Sequence, residues 1–219
     1  MPQIYTSARR AGPSVAESIL MKIPLGIHDE EVAVGSHIAY FWENEKEFNA
    51  GVRFLGVGLE NGDFCVIFGH DEGNRRVVER LNALGYDCNS FRRRNRLAIV
   101  SGHPDAGQML ANIGETFANA IKEGTTLIRL LGNIGWGHGG WPSEDDILAF
   151  ESKVTGAARL FPCVIVCMYD VRALPGRVVV HGAFETHPMT ICGNVLRQNT
   201  HYVEVDEFLQ RLKPPATVV

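Results

Sequence analysis

What this 219-residue chain has little of narrows it first. No apolar run approaches the roughly 20 residues needed to cross a bilayer, so no membrane contact is expected. The N-terminal MPQIYTSARRAGPS is basic and lacks the apolar centre of a secretory leader, which makes the cytoplasm the expected location. Cysteines are few and odd in number, five in all, and four of them sit in strand-like segments: FCVIF, PCVIVC and TICG. That placement suits buried thiols in a reducing compartment and argues against a disulfide frame. Charge of one sign is also scarce: 21 Lys and Arg face 25 Asp and Glu, a net −4. The one basic cluster, Arg92-Arg93-Arg94-Asn95-Arg96, is short and has only Phe91 beside it. It reads as a solvated connection, and no direct nucleic-acid contact is expected.

Phosphate-binding signatures are missing too. GNIGWGHGGW, Gly132 to Trp141, has glycines but no lysine, and its nearest hydroxyl, Ser143, lies beyond Pro142. A P-loop needs lysine for phosphate charge and a hydroxyl for magnesium, and Gly132, Gly135 and Gly137 have the wrong spacing for a dinucleotide fingerprint. A degenerate nucleotide-binding protein is therefore only an alternative reading.

What is present is a rhythm. Up to Gly35 the chain is irregular, broken by Gly12, Pro13 and Pro24, and reads as an N-terminal arm. From Ser36 strands and helices alternate. HIAYFW precedes a helix with Phe48, Val52, Leu55 and Leu59 on one face, and FCVIFGH precedes a helix ending at Gly85. RLAIVSG leads to a helix over 105–122. TTLIRLLG leads through the glycine loop to a helix capped by Ser143 with Glu144, Asp145 and Asp146 in its first turn. PCVIVCMYD precedes a helix near 177–186, and MTICGN and HYVEV read as late edge strands. Strands apolar on both faces that alternate with helices predict one three-layer α/β domain over 36–212 with a mostly parallel central sheet, followed by a tail over 213–219.

In such sheets ligands sit beyond the carboxyl ends of the strands. That rule selects His70, His103, Asn133, Trp136, His138, Tyr169 and Asp170 as ligand-binding candidates. Trp136 and Trp141 offer rigid faces, and the glycines let backbone close over a small molecule. The edge histidines with an aspartate could instead serve a metal-assisted hydrolase, but ligands on separate loops have no diagnostic spacing, so neither metal nor cofactor is expected. Arg129, inside a strand, needs a buried partner, and Glu151, on the apolar stripe of its helix, is the expected one, with Asp170 at the end of its strand as the competitor. His37 and His187 precede their strands and fall at the opposite edge, where a structural role is expected.

SHIAYFWENEKEF, RLLGNIGW, AFESKV, VCMYD and ETHP occur in an order and spacing that resemble the MEDS domain, the methanogen/methylotroph sensory domain found at the front of a dichloromethane-responsive repressor. The resemblance covers about Gly35 to Val205. It implies a RecA/KaiC-like sheet without a working P-loop and a role in sensing small organic molecules. It marks His37, Trp136, Glu151, Cys167, Tyr169, Asp170, His187 and Pro188 as family-like positions. The chain departs from the pattern at Gly132-Asn133-Ile134, where the family tends to have Gly-Glu-Met. The expected function is a non-catalytic sensing module for a small organic ligand. No DNA-binding or kinase segment is expected on the chain, so its signal is expected to pass through a separate regulatory protein or a homo-oligomer.

Overall fold

The computed structural model describes residues 22–212. The first 21 residues of the expected arm and the expected tail, 213–219, lie outside the described residues. A short hairpin, β1 (Lys22–Pro24) and β2 (Glu31–Ala33), leads into the domain. The rest of the order is β3 (His37–Trp42), α1 (Glu45–Asn61), β4 (Phe64–Gly69), α2 (Asp71–Ala83), α3 (Cys88–Arg93), β5 (Leu97–Ser101) and α4 (Ala106–Lys122). Then come β6 (Ile128–Asn133), α5 (Glu144–Ala158), β7 (Cys163–Asp170), a π-helix (Val178–Phe184), β8 (Met189–Cys192), β9 (Val195–Gln198) and α6 (Val205–Arg211). HYVEV is therefore no strand. The last strand is the preceding VLRQ, which pairs antiparallel with β8 and forms the edge.

The main sheet has seven strands in the order β5-β4-β6-β7-β3-β8-β9, parallel except for β9. Strands β3, β4 and β6 are buried at every residue, as strands covered on both faces must be. Five helices start on a side chain that accepts a first-turn amide: Asn44, His70, Asp87, Asp105 and Ser143. Side chains alternate along each strand, so the sheet separates two cores. Phe48, Val52 and Leu55 of α1 and Val77 of α2 cover one face, and the hairpin adds Ile23 and Val32. Ile113 and Phe117 of α4, Phe150 and Val154 of α5, and Val178 of the π-helix cover the other.

That alternation corrects the expected Arg129–Glu151 pair. Leu131, two residues on from Arg129, faces the first core, whereas α5 packs on the second. Arg129, fully buried, instead donates through Nε to Asp63 Oδ2 at 2.7 Å and through Nη1 to the carbonyls of Leu25 and Phe54. Gly58 makes the room: a Cβ there would lie 2.5 Å from Arg129 Cδ.

Candidate functional site

The carboxyl ends of β3, β4, β6 and β7 surround a cavity of about 320 Å³. Trp42, Phe48, Ile134, Trp136, Met168 and Leu174 give it apolar walls, and His70, Asn133, His138 and Asp170 give it polar groups. This size lies at the low end for small-molecule sites. Arg76 closes one side, with its guanidinium 4.0 Å from the centre of the Phe48 ring and 5.0 Å from that of Trp42. Two donors at this rim, Asn133 Nδ2 and Trp136 Nε1, are buried and have no hydrogen-bond partner. Such groups carry a desolvation cost until an acceptor arrives.

The backbone at this rim explains the glycines. Gly69 has φ +155°, and a Cβ there would lie 2.2 Å from the Asn133 carbonyl oxygen, so only glycine lets β4 approach β6 so closely. Trp141 is not at the cavity. Its indole fills the space left by Gly102 and Gly135, where an added Cβ would come within 2.2 and 2.4 Å of the ring. One tryptophan of the glycine loop lines the cavity; the other is a wedge. The first β–α turn offers no phosphate cradle either. It runs Trp42-Glu43-Asn44 into a helix closed by a capping box: Glu47 N–H donates to Asn44 Oδ1, Glu43 N–H donates to the Glu47 carboxylate, and two acidic side chains stand in the first turn.

A second polar group lies on the other side of the sheet, between β3, β7, α5 and the end of the π-helix. His37, Glu151, Cys167 and His187 are all buried, and one donor atom from each lies within 4.8 Å of the others. His37 Nε2 is 3.3 Å from Cys167 Sγ and 3.7 Å from Glu151 Oε2. His187 Nε2 is 3.6 Å from Glu151 Oε2, and Cys167 Sγ is 3.8 Å from it.

The outer hydrogen bonds fix both imidazole tautomers. Thr155 donates its hydroxyl to the Thr186 carbonyl at 2.7 Å, so its oxygen accepts from His37 Nδ1–H at 2.8 Å. His187 Nδ1–H donates to the Ala183 carbonyl at 2.9 Å, and a carbonyl can only accept. Each ring therefore turns an unprotonated Nε2 towards Glu151. His187 Nε2 and Glu151 Oε1 have no hydrogen-bond partner. Burial pushes the Glu151 carboxyl up to about 8 and pulls His187 down to about 3. Burial also lowers His37, helped by His187, and raises the Cys167 thiol, helped by Glu151. Every member is driven to its neutral form because no cation among its neighbours balances a charge.

Of the sequence-derived rim candidates, the cavity brings together His70, Asn133, Trp136, His138 and Asp170. His70 and His138 stack with ring centres 4.2 Å apart. Two candidates fall elsewhere. His103 is exposed, and its Nδ1 accepts from Asp105 N–H at the start of α4. Tyr169 points to the opposite face from Met168 and Asp170 and donates its hydroxyl to the Gly182 carbonyl at 2.7 Å. The edge histidines therefore do not assemble a metal set. Among the described residues the one group with metal-like spacing is His37, Glu151, Cys167 and His187. Residue-by-residue reasoning placed His37 and His187 at a strand edge and missed that their rings reach inward along the face. The signal that could have found the group was the family-like set, which holds all four. Trp136 lies between the two sites: it lines the cavity, and an added Cβ on Gly182 would come within 2.9 Å of its ring.

Comparison with known proteins agrees with this architecture. The profile of the MEDS family, the methanogen/methylotroph, DcmR sensory domain, matches residues 36–188. The transcriptional repressor DcmR of Methylorubrum extorquens is 22% identical over 187 residues, covering 84% of this chain and 70% of the repressor. A crystal structure of the KaiC-like protein PH0186 from Pyrococcus horikoshii superposes with a TM-score of 0.56 over 78% of this chain and 79% of that one. At 14% identity that likeness shows the fold alone.

Proposed function

This chain belongs to the MEDS family, and on that premise we propose that it is a non-catalytic sensor that takes a small organic molecule into the cavity at the carboxyl ends of its strands. The observation that carries the reading is the pair of unpartnered donors, Asn133 Nδ2 and Trp136 Nε1, set at a small and mainly apolar hollow. A compact molecule with an apolar body and one acceptor atom satisfies both requirements. The ligand shifts the population of the Gly132–Trp141 loop towards one closed arrangement. A related protein is named a transcriptional repressor, and we extend a regulatory role to this chain, exerted through a partner protein or self-association.

Trp42 and Trp136 both line the cavity, so intrinsic fluorescence reports its occupancy directly. Titration with one- to four-carbon alcohols, carboxylates, amides and halocarbons is expected to give a saturable change for at least one class. Trp136→Ala removes a wall and a donor and is expected to abolish that change. Asn133→Leu removes the other donor and should weaken binding about tenfold, the worth of one hydrogen bond. Unchanged affinity in both variants rejects the cavity as the binding site.

A further inference from the structure

We propose that His37 Nε2, His187 Nε2, Cys167 Sγ and a Glu151 carboxylate oxygen form a closed tetrahedral site for one zinc-class divalent ion. Zinc bonds run about 2.0–2.1 Å to imidazole, 2.0–2.2 Å to carboxylate and 2.3 Å to thiolate, so the edges of such a tetrahedron are about 3.3–3.6 Å. The four donor separations along the cluster are 3.3, 3.6, 3.7 and 3.8 Å. The other two separations lie within 4.8 Å and the imidazole centres are 3.9 Å apart, so the side chains lie near the spacing of a coordination shell and the two rings need to part by only about 1 Å to close it.

Three further observations point the same way. Both imidazoles carry their proton on Nδ1, tied to Thr155 Oγ1 and the Ala183 carbonyl, which leaves the Nε2 lone pairs turned inward. That outer hydrogen bond is the usual device for orienting a metal-ligating histidine. Second, His187 Nε2 is buried without a partner, a cost that coordination removes. Third, the charges balance. On binding, the Cys167 thiol and the Glu151 carboxyl each release a proton to solvent, and one dication meets two monoanions with two neutral rings. The site stays electrically neutral inside a low-dielectric core while the inward lone pairs of both imidazoles are engaged.

Two nitrogens, one sulfur and one oxygen suit zinc over magnesium or calcium, which take oxygen shells. Four protein donors leave no open position for water, so the ion is structural and not hydrolytic. It joins β3, β7, α5 and the segment directly after the π-helix, and that helix carries Gly182 against Trp136. The ion site and the rim cavity are separate, and the failure of either leaves the other standing.

The test is reconstitution of the stripped full-length chain with zinc sulfate alone and with cobalt(II) chloride alone. One zinc per chain is expected by elemental analysis. Cobalt is expected to show the intense visible bands of tetrahedral coordination together with a thiolate-to-cobalt charge-transfer band. Cys167→Ser should lose the charge-transfer band and bind at least about a hundredfold more weakly. Cys163→Ala, a buried thiol on the same strand outside the cluster, should leave both unchanged. Thr155→Val, which unties His37 Nδ1, should weaken binding about 10–100-fold with the band retained. Wild-type protein that is folded by circular dichroism yet takes up neither ion overturns the site. So does a cobalt spectrum without the thiolate band, or one that persists in Cys167→Ser. If Cys167→Ser does not fold, the wild-type stoichiometry and the charge-transfer band decide the matter by themselves.

Discussion

Arg129 and Glu151 are both fully buried, one on each side of the same sheet, and their surroundings answer the burial differently. Around Arg129 most of the complement is present: a carboxylate at 2.7 Å on Nε, two carbonyl oxygens near Nη1, the Phe54 ring 5.2 Å from the guanidinium carbon, and Gly58 to admit the side chain, with Nη2 alone left unpartnered. Around Glu151 there are two bare imidazole nitrogens, a thiol and, close by, the Tyr169 hydroxyl, and the side chains provide no cation. The first arrangement fastens the hairpin, α1 and β6 together. The second is organised around something from outside. Buried polarity that is matched by the chain itself is architecture; buried polarity left unmatched marks a place where the molecule receives.

The contrast can be broken most directly at Arg129. Arg129→Leu strands the Asp63 carboxylate and is expected to cost about 3–5 kcal/mol in a urea titration, the loss typical of a broken buried pair. A cost below about 1 kcal/mol would remove the distinction. Gly135→Ala tests the other well-filled region. The added methyl meets the Trp141 indole at 2.4 Å, and overpacking of this kind costs about 1–3 kcal/mol. On the unmatched side the expectation reverses. Glu151→Leu in metal-stripped protein should change stability by less than about 1.5 kcal/mol, because an unsatisfied carboxyl is exchanged for an apolar group of similar volume. A penalty equal to that of Arg129→Leu would place Glu151 among the matched groups.

The smallest effect is at the rim. His70 caps α2 by accepting the Gly73 amide through Nδ1 at 3.2 Å, which requires a neutral ring. Burial, and then His138, hold its pKa below the ordinary 6.5, against the opposite pull of Glu72 and Asp71. A base with a depressed folded pKa adds stability that is fully present above 6.5 and lost as pH falls through the folded value. Between pH 7 and 5 the wild type should therefore lose about 1 kcal/mol or less that His70→Asn, which keeps a capping acceptor, retains. Parallel pH profiles for the two proteins would show that the cap contributes nothing.

The layered sheet was legible because its signals are local. Strands such as FCVIF are apolar on both faces, Ser143 precedes an acidic first turn, and the carboxyl-end rule gathers His70, Asn133, Trp136, His138 and Asp170 on adjoining tips. What was not legible depends on which face a helix covers. Arg129 and Glu151 look complementary in the sequence, yet the parity of β6 sends Arg129 away from α5, and its partner Asp63 sits unmarked at the turn after α1. Tyr169 illustrates the same rule at a strand end, where one residue of offset moves a side chain from the rim to the interior. His187 is harder still, because its direction is set by an irregular helix that leaves no periodic trace.

That helix has a consequence for how the family can vary. Its wide turn ends with Glu185 N–H donating to the Val180 carbonyl, five residues back, and the Gly182 carbonyl accepts from both Tyr169 and Thr186. Removal of a single residue between Val178 and Phe184 would restore ordinary helical pitch and swing everything downstream by about 100° around the axis. Thr186 and His187 would then face elsewhere while His37, Glu151 and Cys167, all upstream, stayed in place. One codon therefore separates a chain that assembles the inner quartet from one that cannot, so a length change here says more about a relative than any substitution nearby.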